Sequence, residues 1–238
     1  MTSATSPDIV LRPATTEDVE LLAAIADDAF KTDTHTQLKV VFHGPAPFRD
    51  GMTEGLRSWL QSTKVDLIVA EIAGEPVGWA GWGRRGFAGD VDGPLATPTE
   101  EPVAAPSGSG ASHHIKDLES LTNASMEYWM GRLMPEGCRC RFVVSCVVHP
   151  EYQGRGVGGK LMRWGTDKAD GEPGVYGWVQ SSMGAVATYE KYGFHEVGRL
   201  EADLDVYAEG KPPGKDYAAI TGSRESWGRY TWIYMKRD

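Results

Sequence analysis

The sequence predicts an α/β (α+β) protein in which helices flank a central β-sheet. Segments with helical periodicity alternate with β-forming runs along the chain. Two adjacent runs near 66–82 have the pattern of a hairpin, and a run at 138–148 leads through a glycine-rich turn into an amphipathic helix. A length of 238 residues fits one elaborated domain, 1–238, better than two complete ones.

The N-terminal part of the chain predicts one strand and two helices. Ile9 to Leu11 form a short β-run. Thr15 or Thr16 then caps a helix, because acidic residues follow in the first turn and an apolar stripe continues to Ala29. A second helix is predicted over 50–61, where apolar residues recur at helical spacing.

The hairpin consists of strands 66–72 and 77–82, with a turn at Gly74-Glu75. Residues 86–112 follow, with five Gly, four Pro, four acidic side chains and no basic one. Such a segment buries too little apolar surface to offset the entropy of ordering, so it predicts a flexible insertion or a lid. A linker between two domains is the alternative, and it is disfavoured because both flanking regions resemble parts of one sheet protein.

The second half of the chain predicts alternating helices and strands. Helices are predicted over 115–133, from the glycine-rich turn to about 168, and over 183–192. Strands are predicted over 138–148, 175–180, 194–204 and 229–236. The residues between the last two strands, 205–226, form a long polar connection.

Composition excludes several classes of function. A formal net charge of -9 argues against a nucleic-acid partner and is compatible with a cationic amine or basic peptide as substrate. There is no apolar run long enough to span a membrane, and Met1 to Asp8 lack the pattern of a secretory signal. We therefore expect a cytoplasmic protein that does not bind membranes. No sequence pattern indicates an oligomeric state.

Three cysteines, Cys138, Cys140 and Cys146, lie in one β-forming segment. Their even spacing predicts that all three point to the same face of a strand. A zinc site is one interpretation, but the spacing is not that of common zinc modules, so buried reduced thiols are preferred and no metal is expected.

The most informative segment is the glycine-rich turn that follows the β-run ending at Val148. A strand, a tight turn and a helix N-terminus present main-chain N–H groups without intrahelical acceptors, which favours binding of an anion. A Walker A loop is disfavoured by Leu161 after Gly159-Lys160, and the glycine spacing does not match a dinucleotide fingerprint. A plain helix-entry turn is the remaining alternative.

The segment Gln153-Gly154-Arg155-Gly156-Val157-Gly158, preceded by Val148-His149-Pro150, resembles the Gln/Arg-x-x-Gly-x-Gly/Ala signature of the GNAT acetyltransferase superfamily. The resemblance implies a mixed, mostly antiparallel twisted sheet that is splayed between two strands, and acetyl-coenzyme A as co-substrate. It also implies a set of cofactor-binding residues. The turn and the start of the helix would hold the pyrophosphate, namely Gln153, Gly154, Arg155, Gly156, Val157, Gly158, Gly159 and Lys160. The preceding strand would pair with the pantetheine arm through Cys146, Val147 and Val148.

A second segment, Tyr189-Glu190-Lys191-Tyr192-Gly193-Phe194, resembles the family's Tyr-Glu-Lys-x-Gly-Phe hallmark. The resemblance implies that Tyr189 contacts the coenzyme near its sulfur and is the catalytic acid for the leaving thiolate. A phenol suits this role because its ordinary pKa, near 10, keeps it protonated at neutral pH. The alternative is a core aromatic residue.

Two departures from the family pattern concern catalysis. Ser182 stands where many members have a pantetheine-binding asparagine, so it either replaces one hydrogen bond or acts only as a helix cap. Trp178 stands where some members carry a catalytic glutamate. The general base is therefore unassigned, with Glu127 and His149 as weak candidates beside a water chain.

We expect direct acetyl transfer to a primary amine, of a small molecule rather than a protein. An acyl-cysteine relay through Cys146 is disfavoured because no paired histidine is evident. The acceptor site is expected from the first two helices, the strand of Trp79 and Trp82, and the 86–112 insertion, although alternation also places Trp79 in the core. The competing hypotheses are a protein or peptide amine acetyltransferase, a non-catalytic acyl-CoA sensor and a scaffolding domain.

Overall fold

The computed structural model describes residues 8–107 and 113–238. Seven strands form one sheet in the order β1-β2-β3-β4-β5-β7-β6. The strands are β1 (Ile9–Pro13), β2 (Val65–Ile72), β3 (Glu75–Arg85), β4 (Cys140–Val148), β5 (Tyr176–Ser182), β6 (His195–Asp203) and β7 (Arg229–Arg237). Strands β4 and β5 are parallel, and the other neighbouring pairs are antiparallel. The predicted fold class is confirmed.

Seven α-helices accompany the sheet within the described residues. They are α1 (Val19–Phe30), α2 (Thr34–His43), α3 (Ala46–Gln61), α4 (Ile115–Leu133), α5 (Val157–Asp170), α6 (Val186–Glu190) and α7 (Gly214–Thr221). Helices α5 and α6 cover one face of the sheet, and α1, α3 and α4 cover the other. Each face therefore has its own apolar core.

Close backbone approach fixes α5 on the sheet. The indole of Trp82 lies under α5 and donates a hydrogen bond to the Leu161 carbonyl at 3.3 Å. A Cβ on Gly165 would lie 2.0 Å from that indole, so only glycine fits there. On the opposite face, the Trp79 indole donates to the Leu22 carbonyl at 3.0 Å. Both tryptophans are fully buried, so the core interpretation of Trp79 holds and neither lines an acceptor site.

Two helices were not predicted, because tertiary contacts stabilise them more than their sequences do. The α2 segment contains β-branched residues and histidines, which are weak helix formers. It is held by the Asp33 carboxylate, which accepts a hydrogen bond from the Thr36 amide at 2.8 Å, and by the buried Leu38. Helix α7 lies within the predicted polar connection, where Tyr217 packs against Trp227 with ring centroids 5.2 Å apart.

Two predicted helix boundaries also differ from the structure. Helix α3 begins at Ala46 rather than residue 50, directly after Pro45 at its N-terminus. The helix predicted over 183–192 is a 3-10 turn, Met183–Ala185, followed by the short α6.

The prediction that the three cysteines share one face is wrong. A β-bulge shifts the β3–β4 pairing, so Gly81 pairs with Ser145 but Trp82 pairs with Val143. The extra residue reverses the alternation along β4. Consequently Cys138 and Cys140 pack towards α4, whereas Cys146 packs towards α5. In the described ranges, no group of three or more His, Cys, Asp or Glu side chains is arranged to hold a metal ion.

The described part of the insertion, 86–107, contains neither helix nor strand. Several polar contacts tie it to the body of the protein: Asp92 accepts from Lys64 at 2.8 Å, Arg132 donates to the Pro98 carbonyl at 3.1 Å, and the Ala105 amide donates to the Tyr207 hydroxyl at 3.0 Å. The single-domain assignment and the flexibility of this insertion stay predictions. Its last residues, 108–112, and residues 1–7 at the N-terminus lie outside the described part of the chain.

Among the helices of the described ranges, none is both long and apolar enough to cross a membrane.

Candidate active site

The parallel pair at the centre of the sheet opens into a gap. Pairing between β4 and β5 covers Cys140 to Val143 opposite Tyr176 to Val179 and stops there. Beyond that point β4 continues beside β3 as far as Val148, while β5 continues beside β7 as far as Ser182. The edge of β4 that faces β5 therefore has no partner strand after Val143, and its main-chain groups are available to a ligand.

The glycine-rich turn follows this open edge of β4. Gly154 and Gly156 have φ of 72° and 88°, a left-handed conformation that glycine adopts without strain. Helix α5 begins at Val157, and the first main-chain N–H with an acceptor is that of Lys160, which donates to the Gly156 carbonyl at 3.0 Å. Within the described residues, no N–H group of residues 154–159 donates a hydrogen bond of standard geometry. They form a positive N-terminus that suits a diphosphate.

A cavity of about 600 Å³ lies against this turn, between the end of β4, the start of α5, and α6. Its volume is in the range of natural cofactor sites. Nine of the predicted cofactor residues line it: Cys146, Val148, Gln153, Gly154, Gly156, Val157, Gly158, Gly159 and Tyr189. The residues of this chain therefore fit the pyrophosphate and pantetheine arm of acetyl-CoA, although their individual binding roles stay predictions.

The other four predicted cofactor residues are placed differently. Val147 and Ser182 line a second, adjoining cavity. Arg155 lies with its guanidinium 5.1 Å from the ring centre of Tyr152. The Lys160 ammonium donates to the Ile9 carbonyl at 2.7 Å, so the side chain ties α5 to β1 instead of facing the cavity.

Tyr189 and Tyr192 lie near each other, but their hydroxyl groups differ in availability. The Tyr192 hydroxyl donates to the Gly159 carbonyl at 2.8 Å. The Tyr189 hydroxyl has no hydrogen-bond partner within the described ranges. Burial, and secondarily the neighbouring Cys146 thiol, raise the pKa of Tyr189 well above its ordinary value. Tyr189 thus keeps its proton at neutral pH and can donate it to a ligand atom in the cavity.

Cys146 lies between the two cavities and lines both. Burial raises the pKa of this thiol to about 12. A neutral thiol is a poor nucleophile, which is a physical argument against an acyl-cysteine relay.

The second cavity has a volume of about 480 Å³ and shares Cys146, Val148, Gln153 and Gly184 with the first. Its other walls come from the end of α1, the connection to α2, α7 and the start of β7. Within it the Tyr230 hydroxyl donates to the Asp33 carboxylate at 2.6 Å. Burial, and then the charge of Asp33, raise the pKa of Tyr230.

Sequence reasoning missed Asp33 and Tyr230. The one local signal was that Asp33 precedes a possible helix start, which points to a cap but not to a site. The 86–112 insertion was expected to contribute to the acceptor site, yet residues 86–107 line neither cavity.

The weak candidates for the base are occupied elsewhere. His149 Nε2 lies 3.6 Å from the Asp28 carboxylate, and its Nδ1 accepts from the Glu151 amide at 3.3 Å. Glu127 is exposed on α4. Trp178 is buried and stacks on Phe142 with ring centres 5.2 Å apart, so it supplies no polar group. None of these three lines either cavity.

Comparison with known proteins agrees with this geometry. The sequence profile of the acetyltransferase (GNAT) family matches residues 24–194. No curated protein matches the chain in sequence. A solved structure of histone acetyltransferase HPA2 and related acetyltransferase from Corynebacterium glutamicum is similar, with a TM-score of 0.53, 18% identity, and coverage of 98% of this chain and 96% of that one.

An N-acetyltransferase from Staphylococcus aureus is similar with a TM-score of 0.52 and 13% identity, over 97% of this chain and 98% of that one. At such low identity these two structures show the shared fold alone. The family profile covers well over half of the chain, and it carries the assignment. The chain therefore belongs to the GNAT acetyltransferase family, and it is an acetyltransferase.

Proposed function

We propose that this enzyme transfers the acetyl group of acetyl-CoA directly to the primary amine of a small molecule. The observation that carries this proposal is the glycine-rich turn, whose main-chain N–H groups donate no hydrogen bond of standard geometry within the described residues. Most of the residues of this turn line a cavity that shares Cys146 and Val148 with a second one. The first cavity would take the coenzyme and the second the amine. The two would then meet at the open edge of β4.

In this proposal the chain supplies mostly position and proton donation. Acetyl-CoA, when bound, provides an activated thioester carbonyl and a thiol leaving group. The turn at 154–159 holds the diphosphate, and the free edge of β4 aligns the extended arm. The neutral amine would form the new C–N bond as the C–S bond breaks, and Tyr189 would donate its hydroxyl proton to the departing sulfur. The surplus proton on the nitrogen would leave to solvent, and Tyr189 would regain a proton from solvent. Positioning of two reactants in this way accounts for much of the rate enhancement expected of such a site.

A small acceptor is favoured over a protein because the second cavity is walled on several sides. Phe30, Ile220 and Met183 supply apolar lining. A cavity of about 480 Å³ suits a small molecule better than a folded protein surface.

Thiol release from acetyl-CoA, measured across a panel of small amines and basic peptides, tests the proposal. We expect release with some small amines and little with peptides. Coenzyme A should also raise the thermal midpoint. Stabilisation by coenzyme A without release for any acceptor would identify a sensor instead. Absence of stabilisation would contradict the cofactor site itself.

A further inference from the structure

The second cavity contains one acidic and one basic side chain among its described lining residues. The acid is Asp33, in the connection between α1 and α2, and the base is Arg229, the first residue of β7. The rest of the lining is apolar or neutral. A cavity with a single charge of each sign favours a ligand that also carries one charge of each sign.

Asp33 is a fixed carboxylate. One oxygen accepts from the Thr36 amide at 2.8 Å and the other accepts from the Tyr230 hydroxyl at 2.6 Å. A carboxylate has about four acceptor positions, so each oxygen can accept one more hydrogen bond. In the part of the chain that the structure describes, no Lys, Arg or His forms an ion pair with Asp33. Asp33 is thus a preorganised anion without a cation.

Arg229 is likewise without an ion-pair partner in the described ranges. It pairs in the sheet with Asp203, but that carboxylate accepts from the Ser107 hydroxyl at 2.6 Å and from the Asp205 amide at 3.1 Å. The Arg229 guanidinium is exposed and keeps its planar set of donors, which bind a carboxylate through two parallel hydrogen bonds.

Given the proposed function, we propose that the acceptor is a small amphoteric molecule that carries a carboxylate beside its primary amine, as an amino acid does. Asp33 binds the ammonium form of the amine, and Arg229 binds the carboxylate. The bound ammonium then releases one proton to solvent, and the neutral nitrogen that results attacks the thioester carbonyl. A diamine or polyamine is disfavoured, because its second ammonium group would have no second acidic side chain in the cavity lining to pair with. The cavity meets the coenzyme cavity at Cys146 and Val148, so an amine bound there lies beside the open edge of β4.

The test uses matched acceptors that differ in one group: a set of L-amino acids, their amides, and the corresponding decarboxylated amines. Thiol release gives kcat/KM for each with the wild-type enzyme. We expect kcat/KM for the acids to exceed kcat/KM for their amides and amines by about tenfold or more. This factor corresponds to the free energy of one pair of charge-assisted hydrogen bonds. Equal values for acids and amides would overturn the inference.

Two variants separate the two contacts. Arg229→Gln should lower kcat/KM about tenfold for the acids and leave the amides unchanged. Asp33→Asn should raise KM about tenfold for every acceptor and leave the KM for acetyl-CoA unchanged, since asparagine still caps α2. The control is Arg49→Gln, because Arg49 is also exposed and without an ion pair in the described ranges but lines neither cavity.

The outcomes distinguish this inference from the proposed function. Release only with amines that lack a carboxylate, or equal losses for acids and amides in Arg229→Gln, would overturn the inference and leave acetyl transfer intact. Coenzyme A binding without release for any acceptor would overturn both. If Asp33→Asn does not fold, Arg229→Gln, at an exposed position, still decides the question.

Discussion

The two adjoining cavities differ in how they present polar groups. The first cavity is lined by residues of one short segment, the glycine-rich turn and the start of α5 without Arg155, together with the end of β4 and α6. The second cavity is lined by residues from distant parts of the chain: 29–30, 32–34, 146–148, 153, 182–184, 220 and 229–231. A site formed by main-chain groups requires glycine at particular positions but places few demands on the residue types at the other positions. A side-chain site requires specific residues that the fold brings together from distant parts of the chain.

This comparison separates affinity from selectivity. Substitutions in the first cavity, called the main-chain cavity here, should weaken coenzyme binding to the same extent whichever acceptor is used. Substitutions in the second cavity, called the side-chain cavity here, should alter the selectivity for the acceptor and leave coenzyme binding unchanged.

Tyr189→Phe should lower kcat about 100-fold and change the KM for acetyl-CoA less than twofold, because it removes a proton donor but keeps the ring. Steady-state kinetics with a fixed amine measures both. Burial raises the pKa of Tyr189, so the phenol of the wild-type enzyme stays protonated. Deprotonation of Tyr189 should therefore not lower the rate between pH 7 and about pH 10. Tyr192→Phe is the matched control, because its hydroxyl already donates to Gly159. An equal kcat loss in both variants would contradict the assignment.

The second prediction concerns His35, which stands behind the side-chain cavity against Tyr230 and Trp232. Burial lowers its pKa from 6.5 to about 4, against the attraction of Asp33, and its Nε2 lacks a partner in the described ranges. The folded state therefore takes up this proton less readily than the unfolded state. Stability should be highest above pH 6.5 and fall as the pH drops towards 4, by about 2 kcal/mol between pH 7 and pH 5.

Chemical denaturation at pH 7 and pH 5 measures this loss. His35→Phe keeps an aromatic ring without a titrating group and should remove the His35 contribution to the pH dependence. A pH dependence that is identical in the variant and the wild type would rule out His35 as its source.

Gly156→Ala should raise the Kd for coenzyme A about tenfold, because alanine is strained at a φ of 88° and relief of that strain turns the N–H groups away. Gly89→Ala is a close control. Gly89 has a φ of 86°, has no atoms within 4 Å of an added Cβ, and lines neither cavity. Both variants should lose about 1 kcal/mol of stability, but only Gly156→Ala should weaken coenzyme binding. Calorimetric titration distinguishes them.

The smallest effect is expected for Gln153→Ala. The Gln153 amide group donates to the Val148 carbonyl at 3.1 Å and holds the turn against the end of β4. Its loss should raise the KM for acetyl-CoA about threefold, consistent with one exposed neutral hydrogen bond. Selectivity between amino acids and their amides should not change. A shift in that selectivity would show that Gln153, which lines both cavities, belongs to the acceptor site as well.

Much of the fold was predictable because its signals are local. A cap was predicted at Thr15 or Thr16, and the structure has it at Thr15, before the 3-10 turn Thr16–Asp18 that leads into α1; the Asp18 carboxylate accepts from the Thr15 amide at 2.7 Å. The hairpin of β2 and β3 is confirmed by their antiparallel pairing. Helix α2 was not predicted because burial of Leu38 and the cap at Asp33 stabilise it, and helix propensities do not include these contacts.

The sequence determined the glycine-rich turn, since positive φ, helix entry and the strand before it all depend on residues within about a dozen positions of each other. The cavity beside that turn also requires α6 and the gap between β4 and β5, which come from the tertiary structure. Only the tertiary structure decided the side-chain cavity. Asp33 and Tyr230 are 197 residues apart, and their hydrogen bond joins the connection between α1 and α2 to the start of β7. The bulge that places Cys146 on the α5 face of the sheet also depends on tertiary structure, because it arises from the pairing of β4 with β3.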